Sequence, residues 1–321
     1  MRITEVYTHE DEITKANITH SITYVPQLIN CDENVDQFDD PFIDPFWDDV
    51  AFVIRTGDNV KDDRFPAGYF SWHKRVKHIE YVSDAPQENY SYHWRGRNVT
   101  IDKLWDGVYP YAKEGDISIS NLPWERDFVK HLAGFQILYE QHPKKKYYVM
   151  ADDDTYFFLE QLKNLLVTNE WNPMEQHVLL ADCNGIDFSL PLHSCNGKFP
   201  QGSYFTAGGG GIIISHKSME SMYAILPHCY EDYKDCWAGD RRLGACLFDA
   251  GVPFCNSSLF ATRDITADFR PDHWQLTTLH KMNSKQMLLV DFLAENSPQP
   301  GLLTDDIFHT YWDFINKEKD W

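Results

Sequence analysis

Basic residues are scarce in this chain: 29 lysines and arginines face 49 aspartates and glutamates, a formal charge of −20 at pH 7. That balance opposes binding driven by the phosphates of nucleic acid or of anionic membranes, which relies on basic patches. An anionic ligand therefore needs a local cation. No apolar run reaches the ~18 residues of a membrane-spanning helix, and the start Met1-Arg2-Ile3-Thr4-Glu5 lacks the apolar core of a signal peptide. Membrane attachment is thus expected only through an anchor absent from this sequence, and a cytosolic location follows if no such anchor or signal is missing. None of the seven cysteines forms a C-x-x-C pair, which argues against a zinc knuckle. Internal repeats and low-complexity tracts are also absent.

With 321 residues, 43% hydrophobic and 15% aromatic, the chain has material for a substantial core. Residues 1–48 are acidic and mix prolines with aromatics, which reads as an extended arm. Val50 to Gly57 predicts a first strand and His78 to Val82 a second, with Arg64 to Lys77 as the crossover helix of a parallel βαβ unit. Trp124, Phe128, Leu132, Phe135 and Leu138 recur at helical spacing within 123–142. Further strands are expected at 177–182 and 212–215, and a helix at 241–250. Strands alternating with helices predict an α/β fold. Six cysteines crowd into the second half, enough for three disulfides, with Cys183 and Cys195 the first pair to test; free buried thiols are the competing reading. Sequons at Asn17, Asn89, Asn98 and Asn256 point the same way, toward a secretory compartment.

The most unusual stretch runs from Tyr147 to Phe158, where an apolar strand ends in three consecutive carboxylates, Asp152, Asp153 and Asp154. Open α/β sheets place ligands at the carboxyl ends of their strands. Adjacent anions repel, and a divalent cation would explain their gathering. The competing reading is a solvated turn in which Asp154 or Thr155 caps a helix over 158–167. Downstream, Gly208 to Gly211 precede the isoleucine strand Ile212-Ile213-Ile214. They permit close backbone approach but form no phosphate loop, since no Gly-Lys-[Ser/Thr] follows.

Taken in order, Ala151-Asp152-Asp153-Asp154-Thr155-Tyr156, the glycine run with its isoleucine strand, Gly239-Asp240-Arg241-Arg242 and Trp274 to His280 resemble the Fringe and β-1,3-galactosyltransferase-like enzymes of glycosyltransferase family 31, in particular fungal-type members. The resemblance covers about 50–282. It implies a GT-A fold, with a Rossmann-like mixed sheet flanked by helices, spanning 49–290 between the arm and a C-terminal tail of 291–321 that carries a helix. It also implies inverting transfer from a uridine diphosphate (UDP) sugar to a glycan or glycoprotein hydroxyl, with manganese, or alternatively magnesium. By position, Asp154 is the direct metal ligand with Asp152 and Asp153 supporting it or contacting ribose, and His280 is the distal ligand. Asp240 matches the general base, although Gly239 stands where many relatives have a second carboxylate. Arg55, Thr56, Gly57, Ser83, Asp84, Lys130, Gly208, Gly209 and Gly210 match donor-side positions. For Lys130, a solvent-exposed helix face explains the residue equally well. Trp237 and Trp274 are candidates to stack on an acceptor sugar. The implied compartment is the lumen of the Golgi or endoplasmic reticulum, or secretion. Two rivals remain: a haloacid-dehalogenase-type phosphohydrolase, which also follows a strand with D-x-D but wants Thr or Val where Tyr156 stands, and a catalytically silent sugar-binding relative.

Overall fold

The computed structural model describes residues 3–10, 17–24, 44–94, 97–107, 127–185, 202–233, 239–253 and 276–297, with single positions at 200, 260 and between 300 and 311. The chain divides into two units, one of residues 1–40 with 95–97 and one containing the rest. In the first, β1 (Ile3–Glu10) and β2 (Asn17–Tyr24) form an antiparallel pair with Ile3 opposite Tyr24 and Glu10 opposite Asn17. The stretch read from sequence as an extended arm thus contains a pair of strands, rich in Ile, Val, Thr and Tyr.

The second unit is a mixed α/β structure compatible with a GT-A fold. Its central sheet takes the order β5-β6-β4-β3-β7-β12-β9, comprising β3 (Val50–Arg55), β4 (His78–Ser83), β5 (Gln87–Trp94), β6 (Arg97–Asp106), β7 (Tyr147–Asp152), β9 (Leu179–Leu180) and β12 (Ile212–Ser215). β3 pairs in parallel with β4 and β7, as expected for a βαβ unit, and β4 pairs in parallel with β6. β12 runs antiparallel to both β7 and β9, which makes the sheet mixed. Two small antiparallel pairs flank it: β8 (Tyr156–Phe157) with β13 (Thr278–Leu279), and β10 (Asp182–Gly185) with β11 (Tyr204–Ala207).

Helices cover both faces, and the strand period of two sorts the core accordingly. Val50, Phe52 and Ile54 of β3, with Tyr147, Val149 and Ala151 of β7, join one hydrophobic cluster. That cluster draws on α1 (Arg64–Phe70), α3 (Leu159–Thr168) and α6 (Ser284–Glu295). Ala51, Val53, Tyr148 and Met150 face the other cluster, which draws on α2 (Asp127–Gln141), α4 (His216–Asp232) and α5 (Gly239–Asp249). Because β3 and β7 are buried on both faces, they read as unbroken apolar runs rather than alternating ones.

Three local expectations change. The crossover is shorter than 64–77: α1 ends at Phe70, and a separate turn of 3₁₀ helix covers His73–Arg75. The strand expected at 177–182 divides between β9 and β10, which lie in different sheets. Neither Asp154 nor Thr155 caps α3; its N-cap is Phe158, without a side-chain hydrogen bond. The reason is that β8 intervenes between the carboxylates and the helix, and pairing with β13 holds that segment extended. Among the described cysteines, Cys229 and Cys246 form a disulfide joining α4 to α5. The proposed partner Cys195 lies outside the described residues.

Candidate active site

The site stands at the carboxyl ends of β3, β4 and β7, where the apolar runs stop together. Parallel register sets Arg55 opposite Asp152, and the two side chains form an ion pair. The Asp153 amide then donates to the Arg55 carbonyl at 3.0 Å, continuing the ladder one step past the strand. The β8–β13 pairing places Leu279 opposite Tyr156, so the next residue on that segment, His280, arrives beside the carboxylates. Nε2 of His280 lies 3.2 Å from Asp154 Oδ1 and 3.8 Å from Asp152 Oδ2.

The glycine run explains how the imidazole comes so close. Thr155 Oγ1 donates to the Gly209 carbonyl and Thr278 Oγ1 to that of Gly210, both at 2.6 Å, tying the run to β8 and β13. A Cβ on Gly209 would overlap the His280 ring, and one on Gly208 would stand 2.6 Å from His131 Nε2. Gly211 adopts φ of +99°, a conformation that favours glycine.

Asp152, Asp154 and His280 can each direct one ligand atom so that all three atoms lie within 4.8 Å of one another. The donor chemistry suits a divalent ion, and one observation supports the fit. Asp154 Oδ1 is buried and makes no hydrogen bond, although His280 Nε2 stands at ion-pair distance. Buried carboxylate oxygens are ordinarily satisfied, so an orphan beside two other potential ligands leaves a position that could hold a cation.

Charge balance leads to the same point. Arg55 pairs with Asp152, and Arg64 reaches Asp154 Oδ2 at 2.9 Å and Asp153 Oδ1 at 3.7 Å. With all three carboxylates ionised, two guanidinium groups leave one negative charge in excess, and burial falls on Asp153 to relieve it. Asp153 is 3% exposed and accepts from Thr56 Oγ1 at 2.6 Å. Burial, reinforced by the charges of Asp154 and Asp152, pushes its carboxyl up to about 7. Burial acts on Asp154 in the same sense, but His280 and Arg64 outweigh it and hold that carboxyl below its ordinary range.

The neighbouring wall is built from the ends of β3 and β4. Lys130, on α2, is 1% exposed; its ammonium donates to the Thr56 carbonyl at 2.7 Å and pairs with Asp84 at 3.2 Å. The solvent-exposed reading of Lys130 is therefore corrected: α2 lies against the sheet and turns this residue inward. Asp84 also accepts from the Asp58 amide at 3.1 Å. Burial works against its charged form, but Lys130 and that amide lower its carboxyl overall. Ser83 is fully buried and accepts from the Ala85 amide, while a Cβ on Gly57 would stand 3.0 Å from Asn59.

Asp240 lies in the first turn of α5, and its carboxylate accepts from the Arg241 amide at 3.1 Å. Burial raises its carboxyl, while Arg55 and Arg241 oppose the rise. Arg55 thus acts electrostatically on both Asp152 and Asp240, and its Nη1 also lies 2.7 Å from His131 Nδ1 and 2.6 Å from Nε2. Trp237 and Trp274 lie outside the described residues. Sequence reading missed Arg64 and His131. Arg64 follows two aspartates in a plain acidic stretch, and His131 directly follows Lys130 on a helix; neither carried a spacing signal.

With this geometry in view, two similarities bear on the chain. A family model described as "Protein of unknown function, DUF604" matches residues 201–281, the segment holding the glycine run, Asp240 and His280. A mouse β-1,3-glucosyltransferase is 23% identical over 214 residues, covering 66% of this chain and 36% of the relative. The chain therefore spans about a third of that relative's length. The phosphohydrolase reading is not favoured, since the similarity runs to a transferase. Among the described residues, no helix is long and apolar enough to cross a membrane.

Proposed function

We propose that the chain is an inverting, metal-dependent glycosyltransferase. It moves a hexose or N-acetylhexosamine from a UDP-sugar to a hydroxyl of a glycan or glycoprotein, forming a β-1,3 linkage. The observation that carries this reading is the convergence of Asp152 and Asp154 with His280, from segments far apart in sequence, around an orphaned carboxylate oxygen. The similarity to a β-1,3-glucosyltransferase supports it and makes UDP-glucose the first donor to try.

Asp154, Asp152 and His280 hold the divalent ion in this reading, and an imidazole among oxygen donors favours manganese over magnesium. Bound there, the ion supplies positive charge against a departing diphosphate. Arg55 keeps Asp152 turned toward the cluster, and Arg64 does the same for Asp154. Thr56, Gly57, Ser83, Asp84, Lys130, Asp153 and the glycines 208–210 form the donor side. Transfer requires the acceptor oxygen to bond to the anomeric carbon from the face opposite the diphosphate, whose own bond to that carbon breaks. The acceptor proton then goes to Asp240. Burial makes Asp240 a stronger base, and Arg55 with Arg241 favours its ionised form before reaction. The acceptor is read to stack on Trp237 and Trp274. A luminal compartment fits the Cys229–Cys246 disulfide, since such bonds persist in oxidising surroundings.

A screen of UDP-sugars for release of UDP, with manganese and then with a chelator, tests the reading. Metal-dependent turnover of at least one donor is expected, and Asp240→Asn should bind that donor yet lose transfer. Release of phosphate from simple monoesters with no response to any sugar donor would reinstate the phosphohydrolase. Donor binding without turnover would identify a silent relative.

A further inference from the structure

Two of the sequons, Asn89-Tyr90-Ser91 and Asn98-Val99-Thr100, play no part in the site above. They fall on the neighbouring strands β5 and β6. Tyr90 and Val99 turn inward, at 3% and 0% exposed, and Trp94 stacks on Phe70 of α1. Asn89, Ser91, Asn98 and Thr100 are all exposed. Core packing of the intervening residues therefore fixes both sequons on the solvent face.

Their relative placement follows from two contacts. Ser91 Oγ and Thr100 Oγ1 are 3.5 Å apart, and His93 Nδ1 donates to Asn98 Oδ1 at 2.8 Å. Residue 91 opposite 100 and 93 opposite 98 define an antiparallel register. Asn89 thus stands four residues along the pair from Asn98, roughly 13 Å at the rise of an extended strand. Two bulky substituents fit at that separation. The contact to His93 uses the Asn98 oxygen and not the nitrogen that would be substituted.

β5 is the terminal strand of the described sheet. A free strand edge offers backbone donors and acceptors to any other strand, and stable proteins blunt it. Asn89 adopts φ of 51°, a left-handed conformation that asparagine tolerates better than most residues, which interrupts the extended edge at that point.

Resting on the luminal compartment proposed above, we propose that Asn89 and Asn98 carry N-linked glycans and that together these shield the β5 edge from pairing with other chains. Attachment joins the asparagine Nδ2 to the anomeric carbon of a lipid-diphosphate-linked oligosaccharide. The carbon–oxygen bond to the diphosphate breaks, the lipid diphosphate leaves, and the amide nitrogen loses one proton. A bulky, hydrophilic glycan suits a face that is already exposed.

The test uses the full chain sent into the secretory pathway of eukaryotic cells by an added signal, so that its outcome is separate from that of the compartment proposed above. Enzymatic release of glycans in ¹⁸O-water should label both Asn89 and Asn98, and Ser91→Ala or Thr100→Ala should each remove one step in electrophoretic mobility. These hydroxyl variants abolish the sequons while keeping the asparagines, including the left-handed Asn89. A peptide map with either asparagine unmodified overturns the assignment. The double variant should aggregate faster, by light scattering, than the glycosylated protein at matched thermal stability, with UDP release unchanged. Equal aggregation rates would overturn the shielding role.

Discussion

His73 and His280 are both seated against the backbone of a glycine, yet their surroundings are opposite in kind. A Cβ on Gly68 would stand 2.5 Å from the His73 ring, and one on Gly209 would overlap the His280 ring. His73 lies among Phe65, Trp72 and Tyr81, with ring centroids 4.4 to 6.1 Å away, and its Nε2 is buried without a hydrogen bond. His280 faces two carboxylates, one of them with an orphaned oxygen. The same close packing therefore serves two ends: in the core it fills space with a neutral ring, and at the strand ends it aims a nitrogen. Glycine is required at both places, but only one of them is organised around charge.

The largest contrast comes from removing the charge at the strand ends. Asp154→Ala should cost several kcal/mol in transition-state stabilisation, about a thousandfold or more in turnover, if the cation is lost. Manganese-dependent binding of UDP should fall with it while the protein still folds, as the far-UV circular dichroism spectrum reads. Undiminished turnover would remove Asp154 from the metal site.

The glycine pair gives the next effect. Gly209→Ala should displace His280 and weaken metal binding by roughly 10- to 100-fold, as for other changes that misorient a ligand. Its effect on stability should be smaller than that of Gly68→Ala, which overpacks the aromatic core at a cost of about 1–3 kcal/mol. Metal titration and denaturant midpoints on both variants measure the difference. Equal losses of stability with no change in metal binding would mean that Gly209 is only a packing residue.

These two regions also differ in how far sequence revealed them. β3, β7 and β12 announced themselves through runs such as Val50-Ala51-Phe52-Val53-Ile54, because burial on both faces leaves no polar interruption. The triplet at 152–154 was visible because like charges do not gather without cause. What stayed hidden depends on register and long-range pairing. The inward turn of Lys130, the ion pair between Arg55 and Asp152, and the reach of Arg64 to Asp154 all follow from how α1, α2 and β7 pack on β3. The capped turn at 154–155 was locally reasonable and was overridden by the pairing of β8 with β13, which a local reading does not contain. The seat of His73 on Gly68 carried no signal either, since nothing in Gly68 to His73 distinguishes a buried imidazole from an exposed one.

The smallest effect lies in that core histidine, where it separates the two imidazoles by pH. Burial pushes the His73 imidazole down to about 3, from 6.5 for an ordinary histidine. In the folded protein it therefore stays neutral at pH 5.5, whereas in the unfolded chain it binds a proton there. The unfolded state holds more protons over that interval, so folding stability rises with pH and falls as pH drops below the ordinary value. Between pH 7.5 and 5.5 the loss amounts to about 1.4 kcal/mol from this residue. His73→Gln should remove that increment from the pH dependence of the urea midpoint while leaving metal binding intact; His280→Gln, in contrast, should register in metal binding. A His73→Gln variant that keeps the full pH slope would place the titrating group elsewhere and dissolve the contrast with His280.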